Sequence, residues 1–149
     1  TTYRRMAQDT VDKIIALGKL PYRDCQTHNL QIHGANGAFK TSNHLRYYGT
    51  DQDGIEKIKE EDPNLAMLLH ARLEFTKVEV IWAVRYEMAR TIEDVLARRV
   101  RILFLDAKAA IEIAPEVGEL MRKELNETLE WRRQQIEEFK QLAAQYVLT

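Results

Sequence analysis

Four residues with metal-binding side chains fall close together: Cys25, His28 and His33, with His44 a little further on. Thiolate and imidazole are zinc ligands, and a structural zinc site would need a full tetrahedral set of them. The spacing lacks the paired arrangement by which such sites are recognised, so these residues are expected to be loop residues packed on the first helix. No metal is expected. The segment 49–60 imitates a calcium loop, with Asp51, Asp53, Gly54 and Glu60 at positions three, five, six and twelve of an EF-hand. Position one is Gly49, which has no side-chain oxygen, and HLRYYG before it is a poor incoming helix. Asp51 and Asp53 are instead expected to cap the helix that follows.

Two other chemistries need consideration. GANG at 34–37 is neither a Walker loop nor a dinucleotide fingerprint, which would need a strand before it and a helix after it. Arg85, Arg90, Arg98, Arg99 and Arg101 crowd into a short span and would suit a phosphate or an acidic lipid head. Glu87, Glu93, Asp94 and Asp106 are threaded among them, so internal ion pairing is the better expectation. His70 is expected beside a helix end, where an imidazolium meets the helix dipole favourably.

The elements that must carry these residues are helices. Within 85–101, Thr91 and Asp94 fit a capping box, and Ile92, Val95 and Leu96 supply an apolar face. Arg90, Asp94 and Arg98 are spaced four apart, which places one acid between two guanidiniums. Tyr3, Met6, Ala7, Val11, Ile14 and Ile15 predict an amphipathic first helix ending near Gly18, with Pro21 preventing its continuation. The region 22–50, punctuated by Gly34, Gly37 and Gly49, is expected to be loop with short extended pieces. Asp53 and Gly54 introduce a short helix to about Lys59, and Asp62–Pro63 starts another.

Thr76 and Glu79 form a second capping box, opening a helix that is apolar nearly all round and therefore central. Leu103, Ala107, Ala110, Ala114, Val117, Met121 and Leu125 follow helical spacing, with a kink or break expected at Pro115. Asn126 is expected to cap the last helix, whose buried stripe would be Leu129, Ile136, Phe139, Ala143 and Tyr146. The fold class is all-α: a compact multi-helix domain with a loop-rich segment after the first helix.

The 149 residues are enough for one core, and 45% hydrophobic with 30% charged residues describes a globular chain. A net charge of −1 argues against a dedicated nucleic-acid binder and against a basic membrane anchor. The single Cys25 rules out an internal disulfide and suits a reducing compartment. No apolar run is long enough to span a membrane. Thr1 stands where a start methionine would, so the chain is expected to begin inside a longer or processed polypeptide.

RYEMARTIEDVLARRVR, followed by FLDAKAAIEIAPEVGELMRKEL, resembles the C-terminal helical domain of the FAD-dependent, respiratory (quinone-linked) glycerol-3-phosphate dehydrogenases. RDCQTHNLQIHGA and FTKVEVIWAVRYEMA are similar to the same family, and TTYRRMAQDTVDKII resembles the segment after its last flavin-contacting glycines, GGKxTTYR. The resemblance covers most of the chain in the right order. It implies a bacterial-type enzyme that oxidises sn-glycerol 3-phosphate to dihydroxyacetone phosphate by hydride transfer to FAD and passes electrons to quinone. FAD would lie in a preceding N-terminal domain. Residues 1–20 would form a helix continuing from that domain, and residues 21–149 an α-helical C-terminal cap without catalytic groups of its own. Thr1 and Thr2 match the family's two threonines and are the only positions expected beside the flavin, in the whole protein alone. The partners implied are the chain's own FAD domain and, through the whole protein, quinone and the cytoplasmic side of the inner membrane. Nucleic acid is not implied, and homo-oligomerisation is left open. The alternative is a free-standing helical regulatory or nucleic-acid-binding module, since ARTIEDVLARRVR has the length and charge of a helix-turn-helix piece.

Overall fold

A computed structural model describes residues 2–35 and 44–147. Thr1 and Gly37, named above for the flavin and the GANG motif, lie outside the described residues. Among the described residues six α-helices run in order: α1 (Thr2–Leu17), α2 (Gln52–Glu61), α3 (Lys77–Tyr86), α4 (Ile102–Leu105), α5 (Ala107–Leu125) and α6 (Leu129–Ala144). Tight 3₁₀ segments occupy His44–Asp51 and Pro63–Ala66, and a π-helical turn occupies Asp94–Arg99. Among the described residues the only β pairing is an isolated bridge between Leu68 and Thr76. The molecule is all-α, with the expected irregular stretch after α1.

α3 is the centre. Its residues from Val78 to Val84 are all buried, so the helix has no solvent face, as its all-round apolar sequence predicts. One side packs with Ile55, Ile58 and Leu45, and the other with α5 and the π turn, while α6 packs on α5. Gly54 allows the first of these contacts: a Cβ there would lie 2.7 Å from the Trp82 ring. Met88 takes a left-handed conformation (φ 55°) after α3, and the Ala89 N–H donates back to the Ala83 carbonyl at 2.9 Å. This left-handed turn closes α3, with methionine standing where glycine is usual.

Several sequence expectations are corrected. α5 runs as one helix through Pro115, so two helices do not meet there. A proline inside a helix costs roughly 3 kcal/mol. The buried ladder of Ala110, Ile113, Ala114, Val117 and Met121 around it outweighs that loss, and Arg132 donates to the Pro115 carbonyl at 3.2 Å. Leu103 belongs to α4, separated from α5 by Asp106, whose carboxylate accepts from the Ala109 N–H. Asn126 does not cap α6. It adopts φ 57° and terminates α5, while the Thr128 hydroxyl accepts from the Trp131 N–H and starts α6. The α6 stripe narrows to Phe139 and Ala143, with Leu129 and Tyr146 exposed.

The region between α1 and α2 is less loop-like than its glycines suggest, because His44–Asp51 is 3₁₀-helical. Gly49 breaks that segment at φ 56°, and a Cβ there would fall 1.9 Å from the Gly34 carbonyl oxygen. Two close-packed glycines thus pin the extended strap to the body, helped by a Thr50 N–H to Gly34 carbonyl bond of 3.2 Å. Asp62 does start a turn with Pro63 at its first position, but it is a single 3₁₀ turn.

α1 differs from every other long helix. It forms where the periodicity places it, yet it contains no buried residue, and Tyr3, Met6, Val11, Ile14 and Leu17 are all more than half exposed. Its cross-chain hydrogen bonds are those of Arg4 to Cys25 and Thr27 in the strap.

Candidate functional site

The most developed polar site lies where the 3₁₀ segment crosses the start of α3. Thr76 and Glu79 make the expected capping box, with the Thr76 N–H donating to the Glu79 carboxylate at 2.7 Å. Glu79 is only 1% exposed, and a buried carboxylate needs more partners than one amide. They come from 31 and 35 residues earlier in the chain: the Tyr48 hydroxyl donates at 3.3 Å and His44 Nε2 lies at 2.9 Å. His44 Nδ1 faces Glu74 at 3.4 Å, and its ring meets Phe75 edge-on. The hydrogen bond to Glu79 raises the His44 pKa, against a smaller opposing effect of burial. Burial first, and the Glu79 charge second, raise that of Tyr48 and keep the phenol protonated. The cluster holds one proton firmly between imidazole and carboxylate, and it anchors the 3₁₀ segment to α3.

Beside it opens a cleft of about 810 Å³, with Glu87, Arg98, Arg99, Val100, Arg101, Phe104 and Leu105 forming the far wall. Burial raises the Glu87 pKa, and the neighbouring Arg99 charge partly offsets this. The π turn shapes the wall. Its Val100 N–H donates to the Val95 carbonyl at 3.0 Å, a bond spanning five residues, and Arg101 then takes φ 59°. One inserted residue in a helical turn rotates the side chains that follow it, and such turns recur at functional sites. The Thr91–Asp94 box opens the turn as expected, with the Asp94 N–H to Thr91 hydroxyl and Thr91 N–H to Asp94 carboxylate bonds both 3.0 Å. Burial pushes the Asp94 carboxyl up, but amide hydrogen bonds from Arg90 and Thr91 and the Thr91 hydroxyl outweigh it and leave the pKa lowered.

The five arginines do not act together. Arg85 pairs with Glu124 on α5, and Arg98 with Glu93 and Asp94 at 2.6 and 2.8 Å. Arg90 does not bridge to Asp94 through its guanidinium. Only its backbone N–H reaches that acid, and the side chain donates to the Val84 and Ala89 carbonyls. Arg99 donates to the Glu87 and Asp94 carbonyls and stands 3.6 Å from the Asp94 carboxylate. Among the described residues the Arg101 guanidinium meets the Phe104 ring, at 5.9 Å, and makes no ion pair. Internal pairing therefore accounts for the cluster except at Arg101.

Cys25, His28, His33 and His44 are not brought together. Cys25 contacts Thr27 and Arg4, and the Thr27 hydroxyl lowers the thiol pKa. His33 pairs with Asp51 at 2.8 Å, and His28 is exposed on the strap. Among the described residues no group of three or more potential ligands could hold a metal ion. Asp51 is spent on His33 and makes no side-chain cap on α2, which corrects its expected role. Residues 52–61 are helical, so the EF-hand imitation has no loop to form. His70 sits in a turn rather than at a helix end and pairs with Glu112 of α5 at 3.0 Å. Thr2 is the exposed first residue of α1. The His44–Glu79–Tyr48 cluster was missed by sequence reasoning, and only the Thr76–Glu79 spacing pointed to part of it.

A buried core of α3, α5, α6 and the π turn, with an amphipathic helix left outside it, defines a helical accessory domain. The pattern of the family described as the C-terminal domain of alpha-glycerophosphate oxidase matches residues 25–136. The chain belongs to that family. It is 30% identical, over 92% of its own length and 22% of the relative's, to a probable mitochondrial glycerol-3-phosphate dehydrogenase of Caenorhabditis elegans. A mitochondrial glycerol-3-phosphate dehydrogenase of Arabidopsis thaliana is 32% identical over 83% of this chain and 24% of that protein. The corresponding protein of Saccharomyces cerevisiae is 28% identical over 92% and 27%. The chain thus spans about a quarter of the length of the relatives it matches. These relatives are eukaryotic and lend no support to a bacterial type. No solved structure matches the chain.

Proposed function

We propose that this chain is the C-terminal cap of a whole protein that oxidises sn-glycerol 3-phosphate to dihydroxyacetone phosphate, reducing FAD and passing the electrons to quinone. The observation that carries the reading is the pairing of family membership with an α1 whose apolar stripe is left unburied by the described residues of its own domain. Burying five large apolar side chains of this kind is worth several kcal/mol, so their exposure marks a surface made for another body. In this reading residues 1–20 continue from the FAD domain and residues 21–149 form the cap.

The described residues contain no strand–turn–helix to seat a dinucleotide, so they do not fit FAD, and flavin chemistry belongs to the preceding part of the protein. Thr1 and Thr2 would reach the flavin's edge there, where a helix N-terminus favours negative charge. The cap itself supplies packing and contacts. No helix of the described residues is long and apolar enough to cross a membrane, which fits peripheral attachment of the whole protein.

Dye-coupled oxidation of glycerol 3-phosphate tests the reading with full-length protein, a truncation after Leu17, and this chain alone. An active full-length protein, a silent chain and a truncation with lost activity or stability are expected. A full-length protein that holds FAD and ignores glycerol 3-phosphate would leave the fold family standing and remove the substrate.

A further inference from the structure

We propose that the cleft between the 3₁₀ segment and the π turn is a second binding site, one that takes an anionic headgroup carried on an apolar chain, with Arg101 as its anion contact. Four observations meet there, and none depends on the oxidation proposed above. The cleft is lined by three arginines and His44 against two glutamates, and Glu79 is already engaged by His44, Tyr48 and Thr76. Glu79 therefore has little left to offer a further cation, and the charge of Arg98 is balanced by Glu93 and Asp94. Arg98 and Arg99 are committed to Glu93, Asp94 and main-chain carbonyls, so among the described residues the guanidinium of the lining without an ion pair is that of Arg101.

The conformation of Arg101 adds to this. A non-glycine residue at φ 59° is strained by roughly 1 kcal/mol or more. The π turn immediately before it places Arg99 and Arg101 on the same wall. Structural economy would put glycine or asparagine at such a position, and arginine there brings a fixed charge to the cleft's edge.

The rest of the lining suits a hydrocarbon rather than a sugar or nucleotide. Phe104 and Leu105 stand 53% and 67% exposed beside Arg101, Phe75 and Val100 are further apolar lining, and Tyr146 packs edge-on against Phe104. A carboxylate or phosphate monoester would meet the planar guanidinium through paired N–H donors, while its chain covers Phe104 and Leu105. Such an amphiphile can arrive free in solution or from a lipid layer.

Calorimetric titration of the full-length protein tests this, with octyl phosphate below its micelle concentration, inorganic phosphate and octanol as separate probes. Octyl phosphate is expected to bind at least tenfold more tightly than either of the others. Arg101→Gly should lose at least tenfold of that affinity with melting temperature unchanged or raised, because glycine relieves the left-handed strain, and Arg101→Lys should keep most of it. Unchanged affinity in Arg101→Gly, or no preference for octyl phosphate over inorganic phosphate, overturns the proposal. Flotation with phosphatidylcholine vesicles, with and without phosphatidic acid, identifies the source. Arg101-dependent flotation supports the site with a membrane lipid as its ligand, and octyl phosphate binding without flotation supports it with a free amphiphile.

Discussion

α1 and α3 are both apolar enough to belong in a protein interior, and only one of them is there. α3 has seven consecutive buried residues, whereas α1 has none. Both sequences specify helices, but α3 is apolar all round and must be enclosed, while α1 is apolar on one stripe and needs only one surface. The body that encloses α3 is already complete: Gly54 receives Trp82, and α5 and the π turn close the other side. Helix formation is therefore decided within α1, and its burial is decided elsewhere. A strap fastened by Gly34, Gly49 and the His33–Asp51 pair holds it near the body without supplying that surface.

The comparison can be broken most severely at Glu79. Glu79→Ala leaves His44 and Tyr48 buried without their acceptor and should cost about 3–5 kcal/mol, measured by chemical denaturation. A loss below about 1 kcal/mol would mean that the cluster is not what fastens the 3₁₀ segment to α3. Gly54→Ala drives a methyl into the Trp82 ring and should cost about 1–3 kcal/mol. Thr91→Ala removes a cap from the π turn and should cost about 1 kcal/mol.

The pH dependence of the melting temperature is a gentler probe of the body. His44 has a raised folded-state pKa, so its stabilisation is complete below its unfolded value and fades as pH rises through the folded one. Glu87, raised by burial, acts in the same direction. Asp94 is lowered, so its contribution is present above the unfolded carboxylate pKa and lost as pH falls through the folded one. Stability should accordingly peak in mildly acidic solution and decline above neutrality, and His44→Gln should flatten the decline. The smallest effect belongs to the arm: Ile14→Ser should change the stability of this chain by no more than about 0.5 kcal/mol, since Ile14 is already exposed.

Much of the helical order could be seen in the sequence because capping boxes and periodicity are local. Thr76–Glu79 and Thr91–Asp94 sit three residues apart and form as spaced. What could not be seen depends on distant partners. Nothing near His44 announces Glu79, and nothing near Asp51 announces His33. Pro115 misleads for the same reason, since packing on both sides of α5 overrides a local penalty. Asn126 and Thr128 are both good cap residues, and the left-handed turn at Asn126 decides between them. Arg101 escapes any spacing argument, because its isolation follows from a π turn that charge patterning does not encode.

Amide hydrogen exchange on this chain and on the full-length protein tests the central claim most directly. α3, α5 and α6 are expected to be protected in both, and α1 to exchange rapidly in the chain alone and slowly in the full-length protein. Equal and strong protection of α1 in both would show that the helix is held by this domain, contradicting the proposal that it is the surface by which the cap meets a flavin domain.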